Sequence, residues 1–195
     1  MNSPGDDGHL VKLALLGLPG AGKSTFVEIA SKWSAEHSFT TQTIILASPL
    51  YEAQAEIYRI CDVPLKEGTQ DGELLNFLGA HMRKVNPDVL QQRFLHRLSQ
   101  VRSPANRRAL LVCPDARPLD IAYLRRENFR TVLISVSPEK STRRRIARGD
   151  LSLGATQHST ETGLDSQQVD MRIENEGSMA AYARSVRRLL DSVTA

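Results

Sequence analysis

Short apolar runs alternate with stretches of helical periodicity along this chain, and that alternation predicts an α/β fold built on a parallel sheet. Residues 11–16 are apolar except for Lys12, as suits a strand buried on both faces. Phe26, Val27, Ile29, Ala30 and Trp33 then recur at helical spacing, predicting a first helix over residues 23–37. The β-branched Thr41, Thr43, Ile44 and Ile45 predict a second strand over 41–47. Further strands are predicted at 108–113, 131–136 and, shorter, 171–174. Helices follow at 138–148 and 179–193, the last with Tyr182, Val186, Leu189 and Leu190 on one face.

Residues 50–101 show no strand pattern. Helical spacing covers 51–60 and 73–84, a loop is expected at 68–72, and Pro87 opens a third helix towards Leu98. A parallel crossover needs only about a dozen residues, so the surplus predicts a helical lobe placed to bind an acceptor. No internal repeat or second domain is apparent, and residues 10–195 are expected to form one domain.

The chemistry is concentrated between the first strand and first helix. Gly17, Leu18, Pro19, Gly20, Ala21, Gly22, Lys23, Ser24 and Thr25 give the spacing G-x-x-x-x-G-K-[ST], a phosphate-cradling P-loop. Its glycines let backbone N–H groups converge on an anion, and the following helix adds its positive dipole end. Lys23 is placed to reach the β- and γ-phosphates of ATP. The Ser24 hydroxyl is placed to ligate Mg²⁺, with Thr25 in support. A glycine-rich turn with a helix cap explains neither the lysine nor its position.

Asp115 stands at the carboxyl end of the third strand, where ligands of parallel sheets bind. It can hold Mg²⁺, polarise an acceptor oxygen, or cap the helix that begins near Pro118. Arg117, two residues on, suits a phosphate gripped bidentately. Lys140, Arg143, Arg144, Arg145 and Arg148 form the densest charge run, directly before a Gly/Ser/Thr-rich segment over 149–163. Such runs ordinarily coat a solvated helix. Here, helix and segment together predict a lid over about 139–165, with Arg144 and Arg148 assigned to the transferred phosphoryl group.

Bulk composition changes little. The 195 residues are 41% hydrophobic and 24% charged, and a net charge of +3 does not imply a nucleic-acid binder. The two cysteines, Cys61 and Cys113, lack metal spacing and read as small buried hydrophobes in a reducing, cytoplasmic setting. The five histidines show no zinc pattern. No apolar run reaches membrane-spanning length, and polar residues 1–9 are expected to be a disordered leader. A homodimer is the assembly kept in view.

These pieces resemble the nucleoside monophosphate kinase group of P-loop proteins, with the closest likeness to the bacteriophage-type deoxynucleoside monophosphate kinases. The likeness rests on the P-loop and the run from Gln70 to Gly79. It continues through Pro114 to Arg117, Arg148 to Asp150, His158 to Glu161 and Ile173 to Gly177. Dephospho-coenzyme A kinases share the framework. The resemblance implies a three-layer α/β/α P-loop kinase fold with a five-stranded parallel sheet, an acceptor lobe and an arginine lid. It implies that Asn175, Glu176 and Gly177 cup adenine. It also implies that the insertion holds a nucleotide acceptor, with Lys66, Gln70, Asp71, Phe77 and Arg83 as candidates. Phe77 can stack on a base, although its helical spacing equally suits the core. The expected activity is ATP- and Mg²⁺-dependent phosphoryl transfer to a (deoxy)nucleoside monophosphate. A non-nucleotide metabolite kinase and a regulatory ATPase switch are the alternatives. A GTPase is disfavoured, because Val136, Ser137, Pro138 and Glu139 stand where a guanine-reading motif would.

Overall fold

A computed structural model describes residues 10–66, 69–101, 108–151 and 169–195. Five parallel strands lie in the order β2-β3-β1-β4-β5: β1 (Leu10–Leu16), β2 (Phe39–Thr43), β3 (Arg108–Cys113), β4 (Arg130–Ser135) and β5 (Met171–Glu174). Seven helices accompany them among the described residues: α1 (Lys23–Glu36), α2 (Ser48–Ile60), α3 (Gly72–Val85), α4 (Val89–Leu98), α5 (Ile121–Arg126), α6 (Pro138–Arg148) and α7 (Met179–Thr194).

The period-two alternation of the strands divides the core in two. Leu13, Leu15, Leu110, Val112, Val132 and Ile134 face α1 and α7, packing on Phe26, Trp33, Tyr182, Val186 and Leu190. Ala14, Leu16, Leu111, Cys113 and Leu133 face the other way, onto Leu50, Leu90, Phe94, Ile121 and Leu124. Near-continuous apolar runs are what strands covered on both sides require. The result is the expected three-layer α/β/α arrangement. A Trp33 Nε1–Asp191 Oδ1 hydrogen bond of 2.8 Å ties α1 to α7. The buried face of α7 consists of Tyr182, Val186, Leu189 and Leu190, as its periodicity predicts.

Two expectations need correction. The second strand begins at Phe39 and ends at Thr43, rather than covering 41–47. Phe39 is buried against Trp33, with ring centroids 5.2 Å apart. Beyond Ile44, whose N–H still reaches Val112 O at 3.0 Å, the chain leaves the sheet because a side chain captures the next free amides, as described below. Cys113 is buried, but Cys61 is exposed at the end of α2. The expected leader at 1–9 and the expected lid beyond Leu151 lie outside the described residues. No described helix is long and apolar enough to cross a membrane.

Leu110 sits on the central part of the sheet with no solvent exposure. Leu110→Ala is therefore expected to lower unfolding free energy by about 2–5 kcal/mol. Urea denaturation checks this; a loss below about 1 kcal/mol would contradict the packing described.

Candidate functional site

The strand order reverses direction between β1 and β3, so a crevice opens beyond their carboxyl ends. A cavity of about 580 Å³ lies there. One wall is the P-loop, represented by Pro19, Gly20, Gly22, Lys23, Ser24 and Thr25. The other combines Tyr51 of α2, Gln70 before α3, Asp115 and Arg117 after β3, and Arg148 at the end of α6.

The P-loop owes its shape to the disposal of its carbonyls. Lys23 Nζ donates to Gly17 O at 2.6 Å and Leu18 O at 3.0 Å. Ser141 Oγ donates to Pro19 O at 2.6 Å, and Arg144 Nη1 to Gly20 O at 3.3 Å. Asn175 Nδ2 donates to Ala21 O at 2.8 Å, and Tyr182 Oη to Gly22 O at 3.0 Å. Every carbonyl from Gly17 to Gly22 is thus engaged. Because each peptide is planar and trans, fixing its carbonyl also fixes the direction of the next N–H.

Gly17 and Gly22 have φ of 140° and 105°, in the region that favours glycine. A Cβ at Gly17 would strike the Ile134 carbonyl oxygen, and one at Gly22 the Asn175 amide nitrogen. Gly22 is also the N-cap of α1, which has no side-chain cap. Its first-turn N–H groups and dipole are consequently available to an anion.

The sequence-derived residues separate into those that line the cavity and those that do not. Pro19, Gly20, Gly22, Lys23, Ser24, Thr25, Gln70, Asp115, Arg117, Arg144, Arg148 and Asn175 all line it. Asn175, however, is almost fully buried and braces Ala21. Arg144 holds the Gly20 carbonyl together with Asn175 O and Oδ1 at 3.3 and 3.2 Å. In this arrangement it braces the loop while still lining the cavity. Gly177 is exposed and is not among the residues lining the cavity. Ala21 is buried behind the loop.

Four acceptor candidates stand elsewhere. Asp71 is the N-cap of α3, accepting Leu74 N–H at 3.1 Å and the Tyr58 hydroxyl at 2.8 Å. Phe77 is 64% exposed and stacks on His81. Arg83 donates to Gly79 O at 3.1 Å and its charge acts on Asp120. Lys66 is exposed, and its carbonyl closes the turn to Thr69.

Asp115 carries a burden that its strand-end position does not reveal. Its Oδ1 accepts Leu46 N–H at 2.9 Å, and its Oδ2 accepts Ala47 N–H at 2.7 Å. These bonds end β2 early and seat the start of α2, bringing Tyr51 to the cavity. Asp115 does not cap the turn at Pro118–Asp120; Asp120 accepts Arg117 N–H there, at 3.1 Å.

Charge in α6 is arranged around Asp150, whose side chain has no exposure. It receives Arg145 Nε at 3.2 Å and both Nε and Nη2 of Arg148 at 2.7 and 2.6 Å. Burial pushes the Asp150 carboxyl up, but the two guanidinium groups outweigh it and hold the carboxyl below the ordinary range. Sequence reasoning missed Asp150, Arg145, Ser141, Tyr182 and Tyr51. The basic run included Arg145, the family likeness included Asp150, and α7 periodicity marked Tyr182 as core, but none of these signals assigned the residue a role at the site.

The Asp120 carboxyl is raised from 3.8 to about 6, first by burial and also by Asp115, against the Arg117 amide and the Arg83 and Arg117 charges. A folded pKa above the unfolded one means that the folded state binds more protons between about pH 4 and 6. Stability therefore falls as pH rises through that window, by on the order of 3 kcal/mol relative to Asp120→Asn. Parallel denaturation profiles for the two proteins from pH 4 to 7 would refute this. Asn175→Ala leaves the buried Ala21 carbonyl without its partner and should cost about 1–3 kcal/mol of stability. Calorimetry checks that, with an unchanged melting temperature as the contrary result.

No family model matches the chain, and no curated protein matches it. Among solved structures, the gluconokinase from Sinorhizobium meliloti superposes with a TM-score of 0.54 at 14% identity, covering 94% of this chain and 93% of that one. The shikimate kinase from Bacteroides thetaiotaomicron gives 0.54 at 15% identity, covering 95% and 99%. That from Acinetobacter baumannii, in complex with shikimate, gives 0.52 at 13%, covering 94% and 93%. At these identities the likeness speaks for architecture, and the architecture is the P-loop kinase fold.

Proposed function

We propose that this protein is an ATP- and Mg²⁺-dependent kinase of a small acceptor carrying an anionic group. The observation that carries the proposal is the meeting in one cavity of a phosphate-cradling wall with a second wall holding Asp115, Arg117 and Arg148. The donor set fits the nucleotide and metal. Six engaged carbonyls fix the shape of the loop, α1 begins without a side-chain cap, and Ser24 lines the cavity. ATP supplies the phosphoryl group and Mg²⁺ neutralises its charge when both are bound. Lys23 would exchange the Gly17 and Leu18 carbonyls for phosphate oxygens. Ser24 would hold the metal. Asp115, already steadied by two amides, would orient the acceptor hydroxyl and take its proton.

A (deoxy)nucleoside monophosphate meets the anionic requirement through its phosphate, as the sequence resemblance suggests. A non-nucleotide hydroxy acid meets it through a carboxylate. This second reading is favoured by the position of Phe77, the base-stacking candidate, outside the cavity lining. It is also favoured by structural neighbours named for shikimate and gluconate phosphorylation.

ADP release measured with ATP, Mg²⁺ and a panel of nucleoside monophosphates and hydroxy acids tests the proposal. Strong stimulation by one of these is expected, and stimulation by none of them would count against it. Lys23→Ala should lower turnover at least about 100-fold, while the loss of its bonds to the Gly17 and Leu18 carbonyls costs about 1–3 kcal/mol of stability and leaves unfolding cooperative. Near-normal turnover in that variant would remove the P-loop from the chemistry.

A further inference from the structure

Resting on that reading, the geometry points to Tyr51 as a specificity-determining donor, its phenol hydroxyl gripping the acceptor's anionic group beside Arg117 and Arg148. Tyr51 lies in the first turn of α2, which the Asp115 bonds to Leu46 and Ala47 seat at the cavity. Its oxygen accepts Gln70 Nε2–H at 3.4 Å. Among the described residues its own O–H donates to none. The hydroxyl is therefore oriented from behind and has a proton to give.

Gln70 is well placed to impose that orientation. Its carbonyl accepts Leu151 N–H at 3.1 Å. The preceding Thr69 closes a turn onto Lys66 O through both N–H and Oγ1, at 3.1 and 2.7 Å. The following Asp71 N–H bonds the buried Gln54 Oε1 at 2.9 Å, and Asp71 caps α3. Gln70 is clamped on both sides by backbone contacts, so its amide meets Tyr51 without much conformational freedom to lose.

The surroundings select an anion. Among the described residues, Lys23, Arg117, Arg144 and Arg148 line the cavity against one carboxylate, Asp115, which is occupied by backbone amides. Lys23 and Arg144 belong to the P-loop wall. Arg117 and Arg148 share the other wall with Tyr51, and their charges act on its phenol. Burial first, and then Asp115, push the Tyr51 pKa up to about 12. The phenol thus stays protonated, a permanent donor at any physiological pH.

The full chain, saturated with a non-hydrolysable ATP analogue and Mg²⁺, is titrated calorimetrically with inorganic phosphate as a probe of the acceptor's anionic group. The wild type is expected to bind phosphate, and Tyr51→Phe to bind it about 10- to 100-fold more weakly. Affinity for the analogue should be unchanged between them. Tyr51→Phe keeps the ring and its packing, and an unchanged melting temperature confirms the fold. Absence of phosphate binding by the loaded wild type overturns the inference. So does equal phosphate affinity in the two proteins, or an equal loss of phosphate and analogue binding in the variant. Failure of the wild type to bind the analogue at all refutes the kinase reading itself, and this inference with it.

Discussion

Satisfying the carbonyls of a six-residue loop is the constraint on which the site depends. Backbone carbonyls away from water need partners. In a loop that must turn its amides inward, the carbonyls have to point into the protein. Here Lys23 serves two of them, and Ser141, Arg144, Asn175 and Tyr182 serve one each. Apart from Lys23 of α1, these donors come from α6, the segment after β5, and α7. The phosphate cradle is therefore assembled only when the chain has folded almost to its end.

The opposite wall follows a similar logic with the charges reversed. Asp115 offers carboxylate oxygens to two amides, and this fixes where β2 stops and where α2 begins. In the insertion, the Asp71 cap and the Gln54 contact set the loop that presents Gln70. Neither acid is free for chemistry in the simple way that its position in the sequence suggests. Asp71 is fully committed to structure. Asp115 still lines the cavity, and its amide bonds make it a rigid rather than a wandering carboxylate.

Much of the architecture was legible because it is local. Buried parallel strands need apolar runs, and a P-loop needs its glycines and lysine at fixed spacing. The buried face of α7 likewise follows from helical periodicity. What was not legible depends on partners distant in sequence. Residues 44–47 look like strand, since Ile44, Ile45 and Leu46 are apolar. Their path is set by Asp115, about seventy residues later. Arg144 and Arg145 are adjacent in a basic run and cannot be told apart by composition. One reaches Gly20 and Asn175 and the other a buried Asp150. Phe77 recurs at helical spacing as a core residue would, yet the face it occupies has no layer above it among the described residues.

The pairing of Arg148 with Asp150 also bears on how an anion would be received. Asp150 is shared by Arg145, which is nearly buried, and Arg148, which is exposed and lines the cavity. A fully enclosed carboxylate requires neutralisation, and Arg148 supplies two hydrogen bonds towards it, at 2.7 and 2.6 Å. Arg148 therefore cannot leave Asp150 without a cost, so an incoming anion has to be met by an arginine whose head is already held. That makes the acceptor wall preorganised, with little side-chain entropy left to lose on binding.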